Sequence, residues 1–452
     1  MRTRNITATL FSIWLFHSAL LPAGQLGESR PEGSSAADPA SQAPALKLDP
    51  LIQDLVKFNP ELQAARKRYE AALKRPVQQS ALPDPRITMG WVSNGYPYPG
   101  AGLGLEATSN IGIQVAQEFP YPGKRALMGG MAQKEADIEA QGVRARELNL
   151  VTQLKERYYE LRLSYESIDL LRQNQALLQQ LAKVAEARYA VGKAMQQDLI
   201  KAAVEISILE NRLILLEQKK QSLAAEINTM VGRSPELTLG RPEGLSTVPP
   251  LEPLGALQAR ALQISPLLQA QQAMIDSRQL NVQSAQKAYY PDLDVMSGYY
   301  NQGAMKPMWE FKVQVNLPIY FWRKQRPGLE EAAVRLSEAQ RTYRSQEQMI
   351  RFQLRDRHLA AQASRRLMDL YSNQIVPQSQ LALESSLADY ETGNIDFLSV
   401  LSNFNTIRDY QMNFFEQQAE YLKVLSRLDE LAGRVTMGTA PFQGVQNGEV
   451  RP

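Results

Sequence analysis

The side chains that could perform chemistry are of few kinds in this chain. Its 452 residues include no cysteine and two histidines, His17 and His358. The absence of thiols excludes disulfides, thiol nucleophiles and thiolate metal sites. Two histidines, one of them near the start of the chain, cannot build a catalytic triad or a multi-histidine metal site. We therefore predict a protein that is not an enzyme and that has no catalytic residue and no cofactor.

Thioether sulfur is the one remaining soft ligand. Met305 and Met308 lie three residues apart in and beside a loop, and thioethers favour copper(I) or silver(I). Two methionines in a loop are more often incidental, so we predict no metal site. Acidic and basic residues nearly balance, at 47 and 50, for a formal net charge of +3. This balance gives no reason to expect nucleic-acid binding, which usually requires a basic stripe, and we predict no nucleic-acid partner.

The first residues have the pattern of a secretory signal peptide. Arg2 and Arg4 precede an apolar run over 6–21 and then Pro22-Ala23-Gly24. The alternative is a single membrane anchor, but the run is short for a span of about 20 residues. Gln25 stands where a lipoprotein would carry its lipid-bearing cysteine, which excludes lipid anchoring by that route.

Residues 309–317 alternate strictly between apolar and polar side chains, as in a strand with one apolar and one wet face. Two interpretations are open for it. In a soluble sandwich the apolar face packs on a core, whereas in an outer-membrane barrel it faces lipid. In the barrel, the lumen side consists of Glu310, Lys312, Gln314 and Asn316, and the lipid side of this strand includes Trp309, Phe311, Val313 and Val315.

The mature chain contains this arrangement twice. The first copy places Ile87, Met89 and Trp91 on one face of a strand, and these residues are also predicted to face lipid. Proline lies at positions 83, 120, 291 and 318, where helix must change to strand. Long helices follow, and they would extend to roughly 100 Å at 1.5 Å per residue. Their apolar positions recur 201 residues later in the second copy, which indicates an internal duplication.

We divide the chain accordingly. The predicted segments are a signal peptide (1–24), a flexible tether (25–47), a first repeat (48–233), a linker (234–253), a second repeat (254–434) and a C-terminal tail (435–452). The first repeat has strands at about 86–94 and 109–119 and helices at about 124–191 and 195–232. The second has strands at about 293–300 and 308–318 and helices at about 328–392 and 396–433.

Four strands cannot close a barrel, and lipid does not tolerate open strand edges. Closure therefore requires several chains, and three would supply twelve strands, an even number within the range of bacterial barrels. We predict a mainly α fold with membrane β structure, in which the duplicated long helices continue the wall of a β-barrel that several chains complete.

The duplicated helix–strand–strand–helix plan, the flanking prolines and the Tyr-x-x-Gly turns at 189–192 and 390–393 resemble the TolC-type outer-membrane efflux family. The resemblance covers residues 48–434. It implies a homotrimer in outer-membrane lipid of a Gram-negative bacterium. In this trimer four strands per chain form a 12-stranded transmembrane β-barrel, and the duplicated long helices form an α-barrel that extends into the periplasm. It also implies docking to a periplasmic adaptor and an inner-membrane pump of the RND type. The run 117–125 resembles the branch paired with heavy-metal exporters.

The resemblance also directs attention to the helix turns. Aligned from Gly393, the two gate positions that carry aspartates in the family's best-known gate are Ser399 and Ser402 here. Asp198 matches an acidic tip position, while Glu391 and Asp396 supply charge from neighbouring positions. For each of them a solvated helix-end charge is the alternative. The residues expected to dock the adaptor are Val191, Gly192, Lys193, Thr392, Gly393 and Asn394.

The function implied is passive conduction from periplasm to exterior in a tripartite efflux or type I secretion-like system, with heavy-metal ions as one class of cargo. The main alternative is a soluble periplasmic coiled-coil structural or adaptor protein, in which the strands form a small domain of their own.

Overall fold

The computed structural model describes residues 45–94, 98–245 and 247–434. The predicted signal peptide, nearly all of the predicted tether and the predicted C-terminal tail lie outside the described residues. The helices are α1 (Leu48–Phe58), α2 (Pro60–Ala72), α3 (Arg75–Ser80), α4 (Lys124–Ala190), α5 (Gln196–Met230), α6 (Leu254–Ile264), α7 (Pro266–Lys287), α8 (Gln325–Leu370), α9 (Val376–Thr392) and α10 (Phe397–Leu431). The strands are β1 (Arg86–Val92), β2 (Asn110–Phe119), β3 (Asp292–Asn301) and β4 (Met308–Asn316).

The four strands form one antiparallel sheet in the order β1-β2-β3-β4. Its register places Met89 opposite Ile113, Ile113 opposite Tyr299, and Tyr299 opposite Trp309, so one face is apolar across all four strands. This face is uncovered within the chain: Met89 is 75% exposed and Trp309 74% exposed. The predicted mainly helical fold with four strands is confirmed.

The opposite face of the sheet contains glycines and a tyrosine that lies across them. A Cβ atom added at Gly112 would come 2.1 Å from the Tyr300 ring, and one at Gly298 would come 2.7 Å from it. The Tyr300 hydroxyl donates to Glu310 Oε2 at 2.9 Å, and Glu310 pairs with Lys312. The ring therefore lies flat against the sheet because two neighbouring positions have no side chain.

In each repeat a long helix, α4 or α8, leads the chain away from the sheet. α4 packs on α5 and on α10, and α10 packs on α8 and α9, so α5 and α8 lie at opposite edges of this layer. Three apolar clusters stabilise the layer, one near the tips and one in the middle of each repeat. α10 begins and ends 201 residues after α5, as the internal duplication requires.

Prolines account for the places where the two copies differ. Pro76 lies in the first turn of α3, and the missing proline N–H separates α2 from α3, whereas α7 continues unbroken in the second copy. Residues 328–392, predicted as one helix, contain a π-helical turn at Tyr371–Ile375. Pro377 lies in the first turn of α9 and has no N–H to donate to the turn before it. The wider π-helical turn adjusts the hydrogen-bond pattern of the helix to this missing donor.

Strand β1 is shorter than predicted because the two residues after Val92 are hydrogen-bonded within the loop that follows. The backbone N–H of Asn94 donates to Ser109 Oγ at 3.1 Å, and the Ser93 hydroxyl donates to the Tyr98 carbonyl at 2.9 Å. Both residues are thus bonded within the loop and do not extend the ladder with β2, which ends at Val92.

We expect Gly112→Ala to lower the temperature at which the folded sheet is lost. The new methyl group would overlap the Tyr300 ring and approach the Tyr299 carbonyl to 2.8 Å, and overpacking costs about 1–3 kcal/mol. Gly90→Ala is the matched control, because Gly90 faces Gly112 across the register and its added Cβ would meet nothing within 4 Å. Heat-modifiable migration in gels measures both variants. Equal loss in both would contradict this account of the tyrosine.

Candidate functional site

Each pair of long helices is joined by a short turn, and glycine makes the reversal possible. Gly192 has φ +70° and Gly393 has φ +92°, in the left-handed region that a side chain disfavours. The N–H of Gly192 donates to Tyr189 O at 2.9 Å, and the N–H of Asn394 donates to Asp389 O at 2.9 Å. The six residues predicted to dock an adaptor, 191–193 and 392–394, are all exposed at these two turns.

The two aspartates after the turns cap the helices that follow. Asp396 precedes α10, and its carboxylate accepts from the Ser399 N–H at 3.0 Å and from the Ser399 hydroxyl at 2.5 Å. The hydrogen bond from the Ser399 hydroxyl lowers the pKa of the Asp396 carboxyl below its usual range, and the bond from the Ser399 N–H lowers it further. Asp198, in the first turn of α5, accepts from the Met195 N–H at 3.4 Å. Negative charge is favoured at both places because helix N–H groups point there.

The other predicted aperture residues are exposed but do different things. Ser399 is bonded to Asp396, and Ser402 accepts through its carbonyl from the Thr406 hydroxyl at 2.8 Å. Glu391 lies in the last turn of α9, where its backbone carbonyl accepts a bond from Arg188 at 3.0 Å. These residues lie around one end of the helix layer, and their role in an aperture stays a prediction.

Arg188 joins the two tips, and sequence reasoning missed it. Its guanidinium donates to the carbonyls of Tyr390 and Glu391 and stacks 4.6 Å from the centre of the Tyr390 ring. Tyr390 is buried against Phe397. Burial is the main cause that raises the pKa of the Tyr390 hydroxyl, and the negative charge of Asp198 raises it further. The available signal was an arginine in the last turn of α4, where cations are favoured.

A buried ion pair further from the tips was also not predicted. The side chain of Arg408 on α10 is 4% exposed and donates to Glu205 on α5 at 2.8 Å. It also bonds Asn405 at 2.8 Å and Asp409 at 3.0 Å. A buried charge pair with additional hydrogen bonds is strongly destabilised when one partner is lost. Arg408 therefore fixes the spacing between the two returning helices, α5 and α10.

The structure places the two predicted sets of strand residues on opposite faces of the sheet. On β4 the polar set 310, 312, 314 and 316 lies opposite Gly298, Met296, Asp294 and Asp292 of β3. The apolar set of β1 and β4, residues 87, 89, 91, 309, 311, 313 and 315, is exposed on the other face. Which face meets water and which meets lipid stays a prediction at this point.

Possible metal ligands are scattered over the described ranges. In them, no group of three or more histidine, cysteine or acidic side chains comes close enough to hold a metal ion. His358 is buried, and its Nε2 lies 3.1 Å from the Glu252 carbonyl, so it stabilises the contact of α8 with the linker before α6. Across residues 45–94, 98–245 and 247–434, none of the helices has both the length and the apolar character to span a bilayer.

Comparison with known proteins gives a family match over both repeats. The family model described as outer membrane efflux protein matches residues 51–233 and 257–434. Among curated proteins, the cobalt-zinc-cadmium resistance protein CzcC of Cupriavidus metallidurans is 23% identical over 405 residues, which cover 88% of this chain and 92% of CzcC.

Solved structures share the fold at low identity. A structure of CusC, described in connection with transmembrane channel formation, has a TM-score of 0.74 at 15% identity and covers 86% of this chain and 92% of its own. The outer membrane protein VceC of Vibrio cholerae has a TM-score of 0.72 at 18% identity, with 86% and 96% covered. These similarities extend over nearly the whole described chain, sheet and long helices together.

Proposed function

This chain belongs to the outer membrane efflux protein family, and we propose that three copies of it close one tube, which an adaptor and an inner-membrane pump of the RND type load from the periplasm. Family members are outer-membrane efflux channels that work with periplasmic adaptors and inner-membrane pumps. The chain is accordingly an outer-membrane transport protein, and the alternative of a soluble coiled-coil protein is set aside. We further propose that it has no catalytic activity and that conduction through it is passive.

The open sheet is the observation that carries the trimer proposal. β1 and β4 are each paired on one side only, while one whole face of the sheet is apolar and exposed. In lipid an unpaired row of N–H and C=O groups is not tolerated. Because the strands alternate in direction, β4 of one copy can pair antiparallel with β1 of the next. Three such contacts close twelve strands into a ring.

The helix layer supports the same closure. Its edge helices carry exposed apolar residues at helical spacing, which are Ile200, Val204, Ile208 and Leu215 on α5, Phe352, Leu359 and Leu370 on α8, and Leu381 on α9. Residues four and seven apart lie on one helix face. We propose that α5 of one copy packs on α8 and α9 of the next, so the ring of strands continues as a ring of helices.

The name of a relative indicates a class of cargo. The relative CzcC is named for resistance to cobalt, zinc and cadmium, and its match spans most of this chain. We propose that this channel serves an exporter of divalent metal ions. A wide aqueous tube needs few specific contacts with its cargo, because the pump selects what enters.

We expect Val204→Asp to weaken the trimer. The carboxylate would be buried against α8 of the next copy without a partner, at a cost on the order of 3 kcal/mol per contact. Val184→Asp is the control, since Val184 is an exposed valine on α4, which is not an edge helix. Native gels and analytical ultracentrifugation in detergent report the oligomer. A trimer that survives Val204→Asp as well as it survives the control would refute this interface.

We expect Asp198→Asn and Asp396→Asn to raise single-channel conductance in a planar bilayer if threefold negative charge narrows the periplasmic mouth. Asparagine still caps a helix, so Asp396→Asn removes the charge and keeps the cap. Asp396→Ala removes both the charge and the cap, so the difference between Asp396→Ala and Asp396→Asn shows what loss of the cap contributes. Unchanged conductance in both asparagine variants leaves Asp198 and Asp396 as caps with no part in the aperture.

We expect the gene to restore growth on Co²⁺, Zn²⁺ and Cd²⁺ in a Gram-negative strain that has a matching pump and adaptor but lacks its outer-membrane component. Growth on organic antibiotics in the same strain is the comparison. Restoration of antibiotic tolerance without metal tolerance would replace the metal proposal by a drug exporter. Val204→Asp serves as the inactive control in this assay.

A further inference from the structure

An exposed aromatic and basic segment follows β4, and we call residues 317–324 the aromatic-basic segment. Leu317, Ile319, Tyr320, Phe321 and Trp322 are all exposed within the chain. The segment is folded into a turn, in which the N–H groups of Arg323 and Lys324 donate to Tyr320 O at 3.0 and 3.1 Å. Five large apolar side chains next to two cations are therefore held at the surface by backbone hydrogen bonds.

The aromatic-basic segment continues the apolar face of the sheet. Val313, Val315 and Leu317 follow one another on the outward side of β4 and its extension, and all three are exposed. The segment lies at the end of the sheet from which α8 departs, opposite the loops that join β1 to β2 and β3 to β4. Since the helices extend into the periplasm, this end of the sheet meets the periplasmic leaflet of the outer membrane.

The first copy also ends its second strand with a run of aromatic, proline and basic residues, 119–125, but the cations of that run are bonded within the chain. Lys124 donates to both carboxylate oxygens of Asp292 at 2.8 and 2.9 Å and to the Tyr290 carbonyl at 3.0 Å. Arg125 donates to the Ser80 carbonyl at 2.8 Å. Arg323 and Lys324, in contrast, are exposed and have no hydrogen bond or ion pair from their side chains to any residue that the structure describes.

We propose that the aromatic-basic segment binds the headgroup of an anionic phospholipid in the periplasmic leaflet. The guanidinium of Arg323 and the ammonium of Lys324 supply donors for a phosphodiester. Tyr320 and Trp322 occupy the headgroup level, which aromatic residues prefer. The occupant is a lipid because the cations border an apolar face that is continuous with the sheet. The inference rests on the proposed function only through insertion of the sheet into the bilayer.

Fluorescence of Trp322 reports the bound lipid directly. Trp91 and Trp309, the other tryptophans of the predicted mature chain, are replaced by phenylalanine. The protein is then reconstituted in bilayers that contain brominated phosphatidylglycerol or brominated phosphatidylcholine. Each cation near an anionic surface contributes about fivefold in affinity. We expect Trp322 to prefer phosphatidylglycerol roughly 10- to 25-fold over phosphatidylcholine, as two such cations predict.

Arg323→Gln combined with Lys324→Gln should bring this preference close to one. Lys183→Gln combined with Lys219→Gln is the matched control, because both lysines are exposed on the long helices away from the sheet. The control should keep the full preference. Equal quenching by the two lipids in the unaltered segment, or a preference that survives the loss of Arg323 and Lys324, overturns the proposal. Displacement of the brominated lipid by inorganic phosphate would show a site for free anions, which also overturns it.

A carboxylate of a neighbouring copy is the competing occupant. Asp84 is exposed just before β1 and would lie near the segment if β4 pairs with the next β1. If Asp84→Asn and the double glutamine variant both lose the trimer in uncharged lipid, the cations serve the contact between copies, and the lipid site is overturned. Conductance of the same preparation separates this failure from failure of the channel: a conducting trimer without lipid preference refutes the lipid site alone.

Discussion

The structure depends on one constraint, which is that backbone groups in hydrocarbon must be hydrogen-bonded. β2 and β3 are paired on both sides, whereas β1 and β4 each leave one row of groups open. No rearrangement within a sheet of four strands closes those rows. A ring of identical chains closes them with a single repeated contact. The proposed closure makes the sheet a fraction of a barrel, which this chain would complete in lipid only together with other copies.

The same constraint organises the helices. α8 leaves the sheet directly from the β4 side, and α2 and α3 lead into β1 on the other side. A rotation that brings β4 beside the next β1 also brings α8 toward the next copy's first-repeat helices. The exposed apolar positions on α5 and on α8 lie at the two edges where that rotation places them. In the proposed ring the strands and helices share one symmetry axis, so the helices of one copy pack on the same neighbouring copy as its strands.

The sequence predicted what depends on periodicity and on special residues. Strict alternation over 309–317 identified β4, and the shared offset of 201 residues identified the duplication. Side-chain geometry across long separations could not be predicted. The Tyr300 ring over Gly112, the Arg188 bridge between the tips and the Arg408–Glu205 pair each join residues far apart in the chain. No local pattern marks them, since each depends on how two elements meet.

The two copies agree where the backbone is constrained and differ where side chains act. A Cβ at Gly232 would lie 3.1 Å from Phe58 Cβ, and one at Gly433 would lie 3.1 Å from Ile264 Cγ1, so both turns need glycine. Arg188 has no basic counterpart 201 residues later, where Asp389 stands. Lys124 is bonded to Asp292, whereas Gln325 stands 201 residues later. Two copies of one fold can bind different partners at equivalent positions only where their side chains differ. The charged residues that one copy has and the other lacks are therefore the positions at which the two copies differ in function.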